Sequence, residues 1–223
     1  MSSVRAFTDR ILRNEKRLDI LVNNAGASGL PSAVTSEGLE LSYATNHLGP
    51  FLLTNRLLEL MKRSAPSRIV FLSSFMHRRG FADPAHFYGR NLEDQKLDQT
   101  YNCTKLMNIM CAREMAERLK TTGVSVSSVS PGIAMTEAMR HYKLILRLVF
   151  NVLGFFFFKT AEEGAASTIF CAVSEEAEGL TGKYVDSNCM IELPSEKALD
   201  PAVNKKLWEA SEAATNLIGD PGQ

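Results

Sequence analysis

Tyr101 and Lys105 stand four residues apart in Tyr101-Asn102-Cys103-Thr104-Lys105, a spacing that puts both side chains on one face of a helix. A phenol beside an ammonium can do acid/base work, because the positive charge favours phenolate and draws the tyrosine pKa down from about 10 toward the operating range. The same spacing also arises by chance, and a solvated helix end is the plain alternative. Ser73 and Ser74 follow the apolar run Arg68-Ile69-Val70-Phe71-Leu72, where a hydroxyl can donate to a substrate carbonyl oxygen. One of the two should face the sheet and the other the crevice; Ser74 is the preferred donor, and a simple strand-ending serine is the alternative. Asn46 lies in Tyr43-Ala44-Thr45-Asn46-His47-Leu48-Gly49-Pro50. Pro50 has no N–H to give to the carbonyl four residues back, so the helix should kink there and leave the Asn46 carbonyl free for a water that extends a proton path from Lys105.

The elements that must position these groups alternate. Val4, Phe7, Ile11 and Leu12 recur at helical spacing behind Ser2 and Ser3 as N-cap residues, predicting a helix to about Glu15. Leu18 to Val22 reads as a buried strand ended by Asn23-Asn24-Ala25-Gly26, and a helix follows from about Glu37 to Arg63. Arg68 to Leu72 is a second buried strand. The clearest helix spans about Gln99 to Lys120, with Leu106, Ile109, Met110, Ala116 and Leu119 on one face and Gly123 at the expected C-terminal cap. Val124 to Val129 is a further strand, running into Pro131-Gly132. A helix-prone region through Phe158, a helix near Ala161 to Val173, a short strand near Gly182 to Val185 and a last helix opened by Asp200-Pro201 complete the chain. Buried strands alternating with helices predict one α/β domain over residues 1–223, a doubly wound parallel sheet of Rossmann type with its site at the carboxyl ends of the strands.

Composition narrows the function. The 223 residues carry 25 Lys plus Arg against 25 Asp plus Glu, a net charge of zero that argues against binding nucleic acid. Cys103, Cys111, Cys171 and Cys189 form no C-x-x-C pair, and His47, His77, His86 and His141 show no metal-ligand spacing, so no metal site is expected, the histidines read as surface or core residues, and a reducing compartment is the simpler reading. Leu144 to Phe158 is apolar apart from Arg147, Asn151 and Gly154. It falls short of the roughly 20 residues a membrane-crossing helix needs, leaving a lid, a buried helix or an interfacial helix as the choices.

Asn23-Asn24-Ala25-Gly26 after a buried strand, Asn46, Ser73-Ser74 after the next, Tyr101 with Lys105, and Ser130-Pro131-Gly132 followed by Thr136 stand together in an order that resembles the short-chain dehydrogenases/reductases. Asn46-His47-Leu48-Gly49-Pro50-Phe51, the long insertion between Ser74 and Tyr101, and Gly182-Lys183-Tyr184 look most like the retinol dehydrogenase-like branch. The resemblance implies hydride transfer between a nicotinamide cofactor, NADP(H) with NAD(H) as the other choice, and a lipophilic alcohol or carbonyl of the retinoid kind. It implies Tyr101 as general acid/base and Lys105 as the group that lowers its pKa and holds the nicotinamide ribose. Ser74 would orient the carbonyl and Asn46 would hold a relay water. Asn23, Ala25 and Gly26 would line the ribose side, with Pro131, Gly132 and Thr136 at the nicotinamide end. Ala134 departs from the larger aliphatic usual at that place.

The family's opening strand and its glycine-rich turn, T-G-x-x-x-G-x-G, have no counterpart in the chain, so a pyrophosphate site at a helix N-terminus is not provided. The expectation is either a piece or splice product of a longer enzyme, or a shortened chain. Leu18 to Val22 would then be an unpaired sheet edge, prone to aggregation or to pairing with a partner. The competing expectation is an inactive remnant that binds a partner through that edge. Phe155 to Phe158 would line a pocket for a retinoid, steroid or fatty aldehyde, or dip into a membrane surface, through residues 144–158, with Arg147 and Lys159 at the headgroups. A homo-oligomer, and either the cytoplasm or the endoplasmic reticulum membrane surface, remain open.

Overall fold

The computed structural model describes residues 1–83, 87, 99–134 and 158–217. Leu144 to Phe157, Thr136, His86 and His141 lie outside the described residues. Along the chain run α1 (Ser2–Asn14), β1 (Ile20–Asn23), α2 (Leu41–Tyr43), α3 (Gly49–Arg63), β2 (Ser67–Leu72), α4 (Gln99–Arg118), β3 (Val124–Val129), α5 (Ala161–Val173), β4 (Lys183–Val185), β5 (Ile191–Glu192) and α6 (Pro201–Thr215).

The strands form one sheet in the order β1-β2-β3-β4-β5. The pairs β1–β2, β2–β3 and β3–β4 are parallel, and only β4–β5 is antiparallel. Alternation along β2 explains how the sheet is covered on both sides. Ile69 and Phe71 pack with Leu52, Met61 and Met115 of α3 and α4, while Val70 packs with Cys171 and Ala172 of α5. This is the predicted Rossmann-type α/β arrangement. β1 pairs only with β2 among the described residues, and Ile20 on it is 37% exposed.

Several local expectations shift. Ser2 and Ser3 are the first helical residues, with Met1 as the cap. The first strand lies two residues later than the apolar run, because its ladder to β2 pairs Ile20 through Asn23 with Arg68 through Phe71. The second helix begins at Leu41, after a turn closed by Gly38 at φ +76° and a bridge between Val34 and Glu40. α5 begins with a capping box, Thr160 accepting from the Glu163 N–H and Glu163 from the Thr160 N–H. Asp200 caps α6 ahead of Pro201.

Candidate active site in the crevice above β1, β2 and β3

Pro50 does perturb its helix, but by widening rather than kinking it. Ala44–Leu48 form a π-helical segment in which the Gly49 N–H reaches back to the Ala44 carbonyl. The Asn46 carbonyl is not left free, because the Asn108 carboxamide of α4 donates to it at 3.0 Å. A carbonyl has two lone pairs, so this bond does not exclude a second donor. The Asn46 side chain is fully buried and locked to the loop after β1: the Ala27 N–H donates to its Oδ1 at 2.9 Å and its Nδ2 donates to the Ala27 carbonyl at 2.9 Å.

Lys105 sits one turn after Tyr101 on α4, and its ammonium lies 5.5 Å from the Tyr101 ring centroid. It is only 4% exposed and donates to the Leu72 carbonyl at 3.1 Å. Burial lowers its pKa to about 8, since desolvation disfavours the charged form. Two of its three N–H donors have no partner among the described residues. Gly26 is where it is for lack of a side chain: a Cβ there would stand 3.1 Å from Lys105 Nζ and 3.2 Å from Asn46 Oδ1.

The two serines separate as their strand-end geometry requires. Ser73 spends its proton on the Lys105 carbonyl at 2.7 Å. Ser74 Oγ accepts from the Met76 N–H at 3.2 Å, and its own proton has no acceptor among the described residues. The backbone of Ser74 is pinned by His77, whose Nδ1 lies 2.7 Å from the Ser74 carbonyl and whose Nε2 accepts from the Ser195 N–H at 3.0 Å. With both nitrogens so engaged the ring is neutral, as burial, lowering its pKa, also dictates. His77 in turn stands edge-on to Tyr184, 4.9 Å between centroids.

Tyr101, Lys105, Gly26 and Ser73 line a cleft of about 690 Å³ together with Val22, Asn24, Ala25 and Pro131, among others, within the roughly 300–1,000 Å³ of small-molecule sites, whereas the buried Ser74 and Asn46 side chains are not among its lining groups. The Asn23 side chain is not among the lining groups. It turns under the sheet and donates to Thr54 of α3 at 2.8 Å, so Asn24 takes its expected place at the cleft wall. Gly132 adopts φ +78°, beside Ser187, and lines a second recess of about 310 Å³ with Phe75, Ile133 and Tyr184. Ala134 lines the main cleft where α5 comes closest to it: a Cβ on Gly164 would lie 2.7 Å from the Ala134 methyl. Thr136 lies outside the described residues. His47 and His77, expected as surface or core residues, are both buried; what spacing does not reveal is their bonds, and those of Asn108, to distant elements.

Residues 1–188 match the family model described as enoyl-(acyl carrier protein) reductase. The chain belongs to the short-chain dehydrogenase/reductase family. Within it the chain is of the retinol dehydrogenase-like branch: it is 42% identical to retinol dehydrogenase 14 of Mus musculus over 98% of its own length and 39% identical to retinol dehydrogenase 11 of Homo sapiens over 98%. It spans 65% and 66% of the lengths of those two curated relatives. Among solved short-chain dehydrogenase/reductase-like folds, an uncharacterised protein from Mycobacterium paratuberculosis superposes with a TM-score of 0.71 at 27% identity, covering 96% of this chain and 72% of that one. A short-chain dehydrogenase from Burkholderia cenocepacia J2315, in complex with NADP, superposes with a TM-score of 0.60 at 20% identity over 84% of this chain and 72% of that one, a likeness of fold.

The fit of the cleft to a nicotinamide nucleotide rests on three features of this structure. The Gly26 cradle leaves space beside the ammonium, Lys105 keeps unpartnered N–H donors of the kind ribose hydroxyls accept from, and both stand at the carboxyl ends of parallel strands, where such ligands bind.

Proposed function

We propose that the protein is an NADP(H)-dependent oxidoreductase interconverting a lipophilic alcohol of the retinoid class with its aldehyde. The observation that carries the reading is the convergence of Lys105 Nζ, Asn46 and the side-chain-free Gly26 beside Tyr101, over the ends of β1 and β2. The names of similar relatives, retinol dehydrogenases 14 and 11 of Mus musculus, support the substrate class. So do Phe75 and Ile133, which leave the second recess lined by exposed apolar side chains, 42% and 45% accessible.

A bound nicotinamide supplies the hydride. In the reducing direction Tyr101 gives its phenolic proton to the carbonyl oxygen, which becomes the alcohol oxygen, and Ser74 donates a hydrogen bond to that same oxygen and fixes its position. The Lys105 ammonium stabilises the phenolate so formed and holds ribose hydroxyls with its remaining donors. A water on the second lone pair of the Asn46 carbonyl returns a proton toward Lys105 and Tyr101. Ala25 and Gly26, with Asn24, border the ribose, and Pro131, Gly132 and Thr136 the nicotinamide end. An inactive remnant gains no support from the relatives.

Titrating the purified 223-residue chain with NADPH and NADH, by nicotinamide fluorescence, tests the reading together with all-trans-retinal reduction. Micromolar binding of NADPH and turnover that disappears in Tyr101→Phe, with binding retained, are expected. A folded sample that binds neither nucleotide up to millimolar concentration would overturn it.

A further inference from the structure

The Asn108 carboxamide lies between α4, the π-helical segment and the end of β2. Its Nδ2 donates at 3.0 Å to the Asn46 carbonyl and at 3.1 Å to the Leu72 carbonyl. Backbone carbonyls only accept, so this end of the carboxamide is the NH2 group by necessity, and the opposite end is Oδ1. Oδ1 lies 3.1 Å from Nδ1 of His47, which must therefore carry the ring proton. The bare Nε2 then needs a donor, and Ser211 of α6 stands 2.9 Å away with its hydroxyl. Asn108 is 2% exposed, His47 1% and Ser211 fully buried, so no water competes for these bonds. The chain of bonds ends on the two carbonyls that concern Lys105: Leu72, to which its ammonium donates at 3.1 Å, and Asn46, the proposed water site.

We propose that Asn108, its carboxamide locked by His47 and Ser211, is a positioning residue that clamps the Asn46 and Leu72 carbonyls around the Lys105 ammonium. The assignment rests on the oxidoreductase reading for its purpose and on the hydrogen-bond geometry for its existence. It also gives the histidine of Asn46-His47 a role the sequence does not reveal. A His that merely filled space would accept any tautomer; here Nδ1–H is the one that suits the Asn108 oxygen, leaving Nε2 to accept from Ser211. Ser211 Oγ also lies 2.8 Å from the Leu207 carbonyl, so its one proton has two acceptors within reach, and the clamp requires it to turn from that carbonyl to the ring.

Two measurements on the full chain decide it. Ring carbon shifts of His47 at pH 7 should report the neutral Nδ1–H tautomer; an Nε2–H ring or an imidazolium overturns the proposal. The Lys105 titration, followed at its ε-carbon, should move by at least about half a pH unit in Asn108→Leu and His47→Leu. It should stay put in His47→Gln, whose carboxamide can still donate to Asn108 and accept from Ser211. No movement in folded Asn108→Leu and His47→Leu samples overturns the proposal, and thermal unfolding identifies samples that are not folded. Should His47→Leu fail to fold, Ser211→Ala replaces it: Nε2 loses its donor, and the Lys105 titration should again move. In the active enzyme, Asn108→Leu should lower kcat about tenfold with KM for NADPH within about threefold, and His47→Gln should restore most of what His47→Leu loses. A wild-type chain without NADPH binding or retinal reduction refutes the oxidoreductase reading, while the tautomer and the titration still decide the clamp.

Discussion

Replacing Lys105 by methionine tests directly how a buried ammonium sets the stability of the fold. The Lys105 ammonium is buried, and burial lowers the pKa from 10.5 to about 8. At about 1.4 kcal/mol per tenfold change in proton affinity, keeping it charged in the fold at pH 7 costs roughly 3 kcal/mol. Methionine fills similar space without charge and removes that cost. It also removes the bond to the Leu72 carbonyl, a charge-assisted bond of about 1.5–3 kcal/mol, although Asn108 continues to donate there. At pH 7 Lys105→Met should therefore be the more stable protein by about 1 kcal/mol. The pH dependence has a definite sign. Between pH 8 and 10.5 the unfolded chain binds more protons than the folded one, so wild-type stability rises with pH across that window, by up to roughly 3 kcal/mol. The methionine variant gains nothing there, so the order should reverse near pH 9. Urea unfolding followed by the fluorescence of the single tryptophan, Trp208, buried edge-on against Phe51, reads both stabilities. A stability difference that does not change between pH 7 and pH 10 would refute the placement of a charged lysine in a desolvated crevice.

Gly26→Ala should keep the fold and weaken NADPH binding about tenfold, or about 1.4 kcal/mol, in a fluorescence titration, because the new methyl meets Lys105 Nζ at 3.1 Å. His47 is held near 4 by burial, partly offset by its bond to Asn108. Stability is thus whole above pH 6.5 and falls as pH drops through 4, by up to roughly 3 kcal/mol; His47→Gln should flatten this acid limb of urea midpoints. Thr160→Ala breaks the capping box of α5. It should cost about 1 kcal/mol and lower the melting temperature by about 2–4 °C in calorimetry.

The alternation of apolar runs with helical spacings made the parallel sheet readable, since a strand covered on both faces needs a continuous apolar stretch, as Ile69-Val70-Phe71 shows. The crevice was readable because Asn24 to Gly26, Ser73-Ser74 and Pro131 each follow such a stretch. β5 was not, being two residues whose pairing with β4 is fixed by a turn. The π-helical segment was misread as a kink because the missing Pro50 N–H says what cannot form, not that Asn108, 62 residues away, supplies the Asn46 carbonyl instead. Asn23 differs from expectation for a related reason: successive side chains point to opposite faces, and Asn23, the last residue of the ladder, turns to Thr54 while its neighbour Asn24 faces the cleft. The single apolar face assigned to α4 is in fact a helix buried nearly all round from Asn102 to Ala112, because α6 and the segment after β2 cover the sides that spacing alone leaves open.

That burial of α4 has an evolutionary consequence. The rod that carries Tyr101 and Lys105 also supplies Leu106, Ile109 and Met110 to one hydrophobic cluster and Cys111, Met115 and Leu119 beyond its end to another. In many enzymes the reacting groups ride on loops that can drift while the scaffold stays fixed. Here a core substitution that shifts α4 along its axis carries the proposed acid/base pair with it, so packing and the proposed chemistry are inherited together. Variation in substrate choice is then channelled to parts that α4 does not bear, Phe75, Ile133 and the β4–β5 hairpin, where exposed apolar side chains can change without disturbing the helix at the centre.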